Sequence, residues 1–195
     1  MVGISLVLCE ALLSLLTAWR GADGRAWWVR AVTVFFFALL WIPVGTANIP
    51  VIAYVRGITS DLSITLITLA LWRIGYLALG LRGIAKQEEM AVMVFVAIAA
   101  LFLYPLALGW GDWDAYRTGW GSWGMLLALL VLCAVCWVRG LRVIPALVAL
   151  ALLAWSFGLM ESTNLWDYLI DPWLSVFALC FVFIKFGLSA LRRFR

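Results

Sequence analysis

The chain has no histidine. Within these residues that excludes His-ligated haem, most zinc and copper sites, and any Ser-His or Cys-His catalytic pair. Charge is scarce as well. Only 12% of the 195 residues are Asp, Glu, Lys or Arg, against about 25% in a soluble domain. Such a chain cannot cover a surface facing water, so lipid is its expected solvent. The four cysteines (Cys9, Cys133, Cys136 and Cys180) all fall in apolar stretches. The Cys133-x-x-Cys136 pair therefore reads as two small packing residues, because a redox thiol needs an exposed, electropositive setting. A Walker loop, a Rossmann glycine pattern, an H-E-x-x-H and a nucleophile elbow are all missing.

What is abundant is apolar surface, with 67% of residues hydrophobic. A helix needs about 20 apolar residues to span the hydrocarbon core. Seven such stretches, joined by short loops, take up residues 1–195. This predicts a single polytopic transmembrane domain: an all-α bundle of about seven helices, with no soluble domain, cofactor or metal. A nucleotide-binding, phosphatase or glycosyltransferase domain would have to come from another chain. The first residues carry no basic n-region, so the first stretch is expected to remain as a helix rather than a cleaved signal.

Basic residues alternate across the loops. Arg20, Arg25, Arg30, Arg82, Lys86, Arg139, Arg142, Arg192, Arg193 and Arg195 fall on one side, and only Arg56 and Arg117 on the other. The acids Asp61, Asp112, Asp114, Glu161, Asp167 and Asp171 share the Arg-poor side. The positive-inside rule then places the amino terminus outside and the carboxyl terminus in the cytoplasm. The net charge of +4 reads as topology and anionic-lipid contact rather than nucleic-acid binding. Short loops and a clean charge bias favour a bacterial inner membrane.

The spans are expected at 2–19, from about 31 outward, 62–81, 90–108, 123–138, 143–158 and 173–191. Trp27 and Trp28 should sit at headgroup level. Pro43 and Pro50 predict a kink or stop of the second span at 43–50. The piece from Ile49 to Val55 reads as a half-helix or a re-entrant segment. A Ser, Thr or Asp at 59–61 suits the cap of the third span. Pro172 suits the first helical position of the last span, with Asp171 as its cap.

Two loops on the outer side concentrate chemistry. Loop four holds a repeated G-W-G-x-W unit: Gly109-Trp110-Gly111-Asp112-Trp113, then Asp114, Tyr116 and Arg117, then Gly119-Trp120-Gly121-Ser122-Trp123. Loop six holds Glu161, Asn164, Trp166, Asp167, Tyr168 and Asp171. Flat aromatic faces with carboxylates and an amide suit a sugar. The same residues also fit a plain interfacial aromatic belt with helix caps, or a surface that docks a periplasmic partner. Arg56 and Asp61 flank the start of the third span. With Asn48 and Tyr54 they could line a mouth below those loops and meet a lipid phosphate, or Arg56 could pair with Asp61 or a headgroup.

Three charges fall inside spans: Glu10, Arg73 and Lys185. Counted from the outer end at 1.5 Å per residue they lie roughly 13, 18 and 20 Å deep. A charge at that depth costs at least about 2.5–3.5 kcal/mol and should find a partner. Glu10 is predicted to pair with Arg73, while Lys185 meets them or snorkels inward. The pair fixes helix register or serves a proton or anion site. A carboxylate beside two cations stays charged, which argues against a proton shuttle.

These readings lead to a non-catalytic membrane subunit. It binds or guides an envelope lipid or lipid-linked saccharide at its outer face, beside a partner enzyme or as a homo-oligomer. A small oligomeric transporter or channel using Glu10, Arg73 and Lys185 is one alternative. A membrane-embedded transferase or hydrolase using the outer carboxylates is the other.

Overall fold

The computed structural model describes residues 1–21 and 23–193, except for the side chains of residues 19, 20 and 188–193. The side chains of Arg20, Arg192 and Arg193, and the whole of Arg195, assigned above to the cytoplasmic side, therefore lie outside what is described. The fold is all-α. A two-residue hairpin is the only sheet among the described residues. The chain divides into two compact units, Met1–Leu62 with Leu66–Gly83, and Ser63–Thr65 with Ile84–Arg195.

In the first unit, α1 (Val2–Arg20) packs on α2 (Trp27–Leu40). Helix α2 stops three residues before Pro43 because proline has no amide hydrogen and its ring would strike the carbonyl of Leu39. The amides of Trp41 and Ile42 close the last turn onto Ala38 and Leu39, at 3.0 and 3.2 Å. The chain then turns back as β1 (Pro43–Val44) against β2 (Ile49–Pro50), in antiparallel register Pro43 with Pro50. The stop expected at 43–50 is thus a hairpin. The segment after it is a separate nine-residue helix, α3 (Val51–Thr59). The unit's core joins Ile4, Leu40, Ile52 and Leu62, one residue from each of four segments.

The third expected span, 62–81, differs from a plain helix. Helix α4 (Ile64–Ile74) widens into a π-turn over Gly75–Leu79, which ends at Gly80 in the left-handed conformation, φ 71°. The amide of Leu81 reaches back to Gly75, 3.1 Å away. Apolar periodicity alone cannot show this change of winding, because the sequence stays hydrophobic through it.

The second unit is built on α5 (Lys86–Ala107), α6 (Trp123–Val138), α7 (Val143–Ser156), the short α8 (Leu165–Leu169) and α9 (Pro172–Arg193). Helix α6 has the bounds read from the sequence, and Ser122 caps it by accepting from the Met125 amide at 3.2 Å. Asp171 caps α9 through Oδ1, which accepts from the Leu174 amide at 2.9 Å, with Pro172 as first residue. Helix α5 packs along α9, and both bury small residues there, Ala97 and Ala100 on one and Ser175 and Ala178 on the other. Small residues let two helix backbones approach closely.

Helix α5 begins four residues earlier than the expected 90, so Glu88 and Glu89 fall in its first turn. Acidic side chains there are favoured by the helix dipole. Glu88 also reaches the start of α7, where its two carboxylate oxygens accept from the amides of Arg142 and Val143 at 3.2 and 2.6 Å. Arg142 makes no side-chain cap of its own. Glu88→Ala should therefore cost about 1 kcal/mol, as losing a helix cap does. The check is a fall of a few degrees in the melting temperature of the reconstituted protein. Glu88→Gln should recover part of it.

Apolar side chains remain on the surface of the long helices: Phe35 on α2, Leu71 on α4, Leu101 on α5, Leu130 on α6, Leu153 on α7 and Phe183 on α9 are all exposed. Among the described residues Lys86–Ala107 is the one helix long and apolar enough to cross a membrane by itself, and six shorter helices are also apolar.

Candidate functional site

The second unit brings loops four and six together. Asn164 joins them through its side-chain amide, which donates to the Tyr116 carbonyl at 2.9 Å, while its Oδ1 caps α8 by accepting from the Trp166 amide at 2.9 Å. The Trp166 indole donates to the Ala115 carbonyl and the Thr118 hydroxyl, each at 3.1 Å. The Tyr116 hydroxyl donates to Asp167 Oδ2 at 2.7 Å, and the Ser162 hydroxyl donates to the same oxygen. Tyr168 holds loop six from inside: its hydroxyl accepts from the Met160 amide at 3.1 Å and donates to the Ser162 carbonyl at 3.0 Å. The bonds from Tyr116, Ala115 and Thr118 to Asn164, Trp166 and Asp167 cross 48 to 51 residues of sequence, so the two loops are joined to each other rather than being independent turns.

The two G-W-G-x-W units play different parts in it. In the first, Gly109 and Gly111 have φ of 90° and 117°, values side chains rarely adopt. In the second, Gly121 likewise has a positive φ of 79°, but Gly119 has an ordinary one and is needed for space. An added Cβ would lie 1.8 Å from Asn164 Oδ1 and 2.8 Å from the Trp166 ring. The repeat was legible in the sequence, whereas the distinct role of Gly119 depends on a residue 45 positions away. Ser162 and Thr118, which sequence reasoning missed, take part in the clasp. The S-x-N spacing of Ser162 and Asn164 was the available signal, since the Ser162 hydroxyl accepts from the Asn164 amide at 3.0 Å.

The clasp sorts the candidate ligand-binding residues. Asn164 and Tyr168 are fully buried, and their polar atoms are occupied within the loops. Asp167 is engaged by Tyr116 and Ser162. Trp110, Trp113, Trp120 and Trp123 remain exposed. Trp120 stands edge-on to Tyr116 with ring centroids 5.4 Å apart, and Trp113 tilts against Phe102 at 5.7 Å. Asp112 and Asp114 are exposed beside them, with Asp114 accepting from the Tyr116 amide at 2.9 Å. The surface therefore offers aromatic faces and carboxylates on a backbone fixed from below.

Burial first, then the hydrogen bond to Asp167 and that carboxylate's charge, push the Tyr116 phenol from its ordinary 10 up to about 12. The unfolded chain releases this proton first. The clasp's contribution is present below about pH 10 and is lost as pH climbs towards 12. Titration of phenolate absorbance should show a component near pH 12 that Tyr116→Phe removes. Superimposable curves for the two proteins would show the Tyr116–Asp167 bond to be open.

The charges within apolar segments are placed as follows. In the first unit Arg73 Nε lies 2.9 Å from Glu10 Oε1 and 3.0 Å from the Ser14 hydroxyl, which itself donates to Glu10 at 2.6 Å. The pairing expected from depth is present, with Ser14 as an added third member. Arg56 grips Asp61 with two bonds, Nε to Oδ1 at 2.8 Å and Nη2 to Oδ2 at 3.0 Å. Lys185 belongs to the second unit and lies over the Phe181 ring, 5.6 Å from its centroid. Cys133 and Cys136 are free thiols on α6.

Of the carboxylates considered for acid–base work, exposed Asp114 accepts one bond from the Tyr116 amide, and Asp167 and Asp171 each accept two or more. Asp167 is clasped as above. Asp171 is buried, with Oδ2 accepting from both the amide and the hydroxyl of Ser63 at 2.9 and 2.6 Å. No group of three or more Cys, Asp or Glu that could hold a metal ion occurs among the described residues. No protein-family model, curated protein or solved structure matches the chain.

Proposed function

We propose that the chain is a non-catalytic integral membrane subunit that binds an envelope lipid or lipid-linked saccharide at its outer face. It crosses a bacterial inner membrane about seven times, amino terminus out, and works beside a partner enzyme or as a homo-oligomer. Exposed apolar side chains on the long helices support the membrane placement, because a monomer in water rarely leaves large apolar patches uncovered. The division of basic residues, ten on one side and two on the other, supports the orientation.

The observation that carries the binding reading is the clasped pair of loops. Four tryptophans stand exposed in or beside two loops that partly buried hydrogen bonds hold together. Fixing the backbone lowers the ordering cost of binding, and flat rings pack on the apolar faces of a saccharide. Two of the carboxylates are held within the fold, which favours binding over acid–base chemistry.

The test is purification of the full chain in nanodiscs from its own membrane, with mass spectrometry of copurifying lipids and proteins. Trp113→Ala and Trp120→Ala should each weaken binding of the recovered lipid about two- to tenfold, the size of one aromatic contact. Turnover of a substrate by the isolated chain, or unchanged binding by both variants, would overturn the reading.

A further inference from the structure

We propose that Arg25 and Arg82, beside the π-turn of the first unit, form a site for the phosphate of an anionic phospholipid at the arginine-rich face of the membrane. The site lies apart from the outer loops. It shares with the function proposed above only the membrane placement.

The turn joins two segments far apart in sequence. The chain reverses at Gly80, and the residues after it fold back along the π-turn. The Leu81 amide returns to the Gly75 carbonyl at 3.1 Å. The Trp72 indole donates to the Arg82 carbonyl at 3.0 Å. The Tyr76 ring lies against Gly83, 3.1 Å from where a Cβ would stand. The loop between α1 and α2 closes on the same turn. Gly24 meets the Leu77 carbonyl oxygen, which lies 2.6 Å from the place of an added Cβ. The Arg25 guanidinium lies on Gly80, with Cζ and Nε each 2.8 Å from the place of a Cβ. Only a residue without a side chain leaves it that room.

The fold thus makes two cations neighbours. Arg82 follows Gly80 by two residues, so its Cα stands at most about 7 Å from that of Gly80. Both arginines are exposed, and neither guanidinium has a hydrogen bond or ion pair among the described residues. Arg73 differs, because Glu10 already pairs with it. Asp23 is the one acid in residues 21–30, and residues 75–85 have none. Its Oδ1 accepts from the Arg25 backbone amide at 2.9 Å, not from the side chain.

Two like charges held close repel until an anion joins them. Each guanidinium offers five donors in a planar fork, which matches phosphate oxygens. Level selects the source of the phosphate. Trp72 and Tyr76, which hold the turn, are 36% and 48% exposed. Tryptophan and tyrosine collect where lipid headgroups lie. Because backbone contacts already fix the turn, little ordering opposes binding.

The experiment releases the full chain from nanodiscs of equal phosphatidylglycerol and phosphatidylcholine. Native mass spectrometry counts the lipids that stay bound. The parent protein should retain phosphatidylglycerol preferentially. Arg25→Gln and Arg82→Gln should each cut that preference about fivefold, the size expected of one cation near a membrane surface. Both change exposed charges, so both variants should melt like the parent. Arg139→Gln removes the same charge from an exposed position of the second unit and should leave the preference unchanged. Equal losses in all three variants would mean diffuse attraction and overturn the inference, as would no loss in any. Retention of inorganic phosphate from phosphatidylcholine nanodiscs, with no preference for phosphatidylglycerol, would overturn the lipid as its source. Loss of a second protein chain in either site variant would overturn it in favour of an acidic partner. These outcomes leave the outer-loop reading intact. Release of the chain from vesicles by alkaline carbonate would instead overturn the membrane placement itself.

Discussion

Gly119→Ala should open the clasp between loops four and six and cost about 3 kcal/mol, the sum of a lost cap and strained or broken buried hydrogen bonds. The new methyl would fall 1.8 Å from Asn164 Oδ1 and 2.7 Å from its Cγ. Asn164 is 1% exposed and cannot swing aside into open space. Moving it removes the cap on α8 and the bridge to Tyr116 together. The control is Gly124→Ala in the same region, where no atom lies within reach of the added carbon. Thermal unfolding in nanodiscs, followed by tryptophan fluorescence, should separate the two by many degrees. If Gly119→Ala melts with Gly124→Ala, the two loops are not in contact as described. Because the clasp fixes the exposed tryptophans, the same variant should weaken ligand binding at temperatures where the helices remain folded.

Asp171→Ala should be the most destabilising single change at a polar residue of the second unit, at about 4 kcal/mol. Its carboxylate accepts three hydrogen bonds in a site only 4% exposed, two from Ser63 and one from the Leu174 amide. Removing the acceptor leaves buried donors without their partner, which costs more than the bonds contributed when made. Asp171→Asn keeps one carbonyl oxygen and remains a good cap, so it should lose roughly half as much. A double-mutant cycle with Ser63→Ala isolates the link between positions 108 residues apart. A coupling below about 0.5 kcal/mol, the usual limit for independent sites, would mean that Ser63 and Asp171 do not act together.

Much of the helix plan was legible because its causes are local. Apolar length set α6 at 123–138, and Pro172 with Asp171 set the start of α9. Pro43 ended α2 because a missing amide acts within one helical turn. Where the reading slipped, a longer-range cause acted. Helix α5 extends back to Lys86 because charged residues, which look like loop, suit the first turn of a helix, and Glu88 is held there by α7. The π-turn at Gly75–Leu79 carries no signal in a run that is hydrophobic throughout.

The candidate site divides the same way. The pairing of Glu10 with Arg73 was expected from their matched positions along two apolar helices, and the two side chains do meet. Residue types likewise marked loops four and six as chemically rich. They did not show that Asn164, Asp167 and Tyr168 turn inward to lock the loops, leaving Trp110, Trp113, Trp120 and Trp123 outside. The sequence by itself determined an all-α chain, several of its caps and the residues worth watching, because periodicity and proline act over a few residues. Only the tertiary structure decided which polar side chains hold the fold and which stay exposed. For Asn164, Asp167 and Asp171 that choice depends on partners about 50 to 108 residues away, whose approach no local pattern encodes.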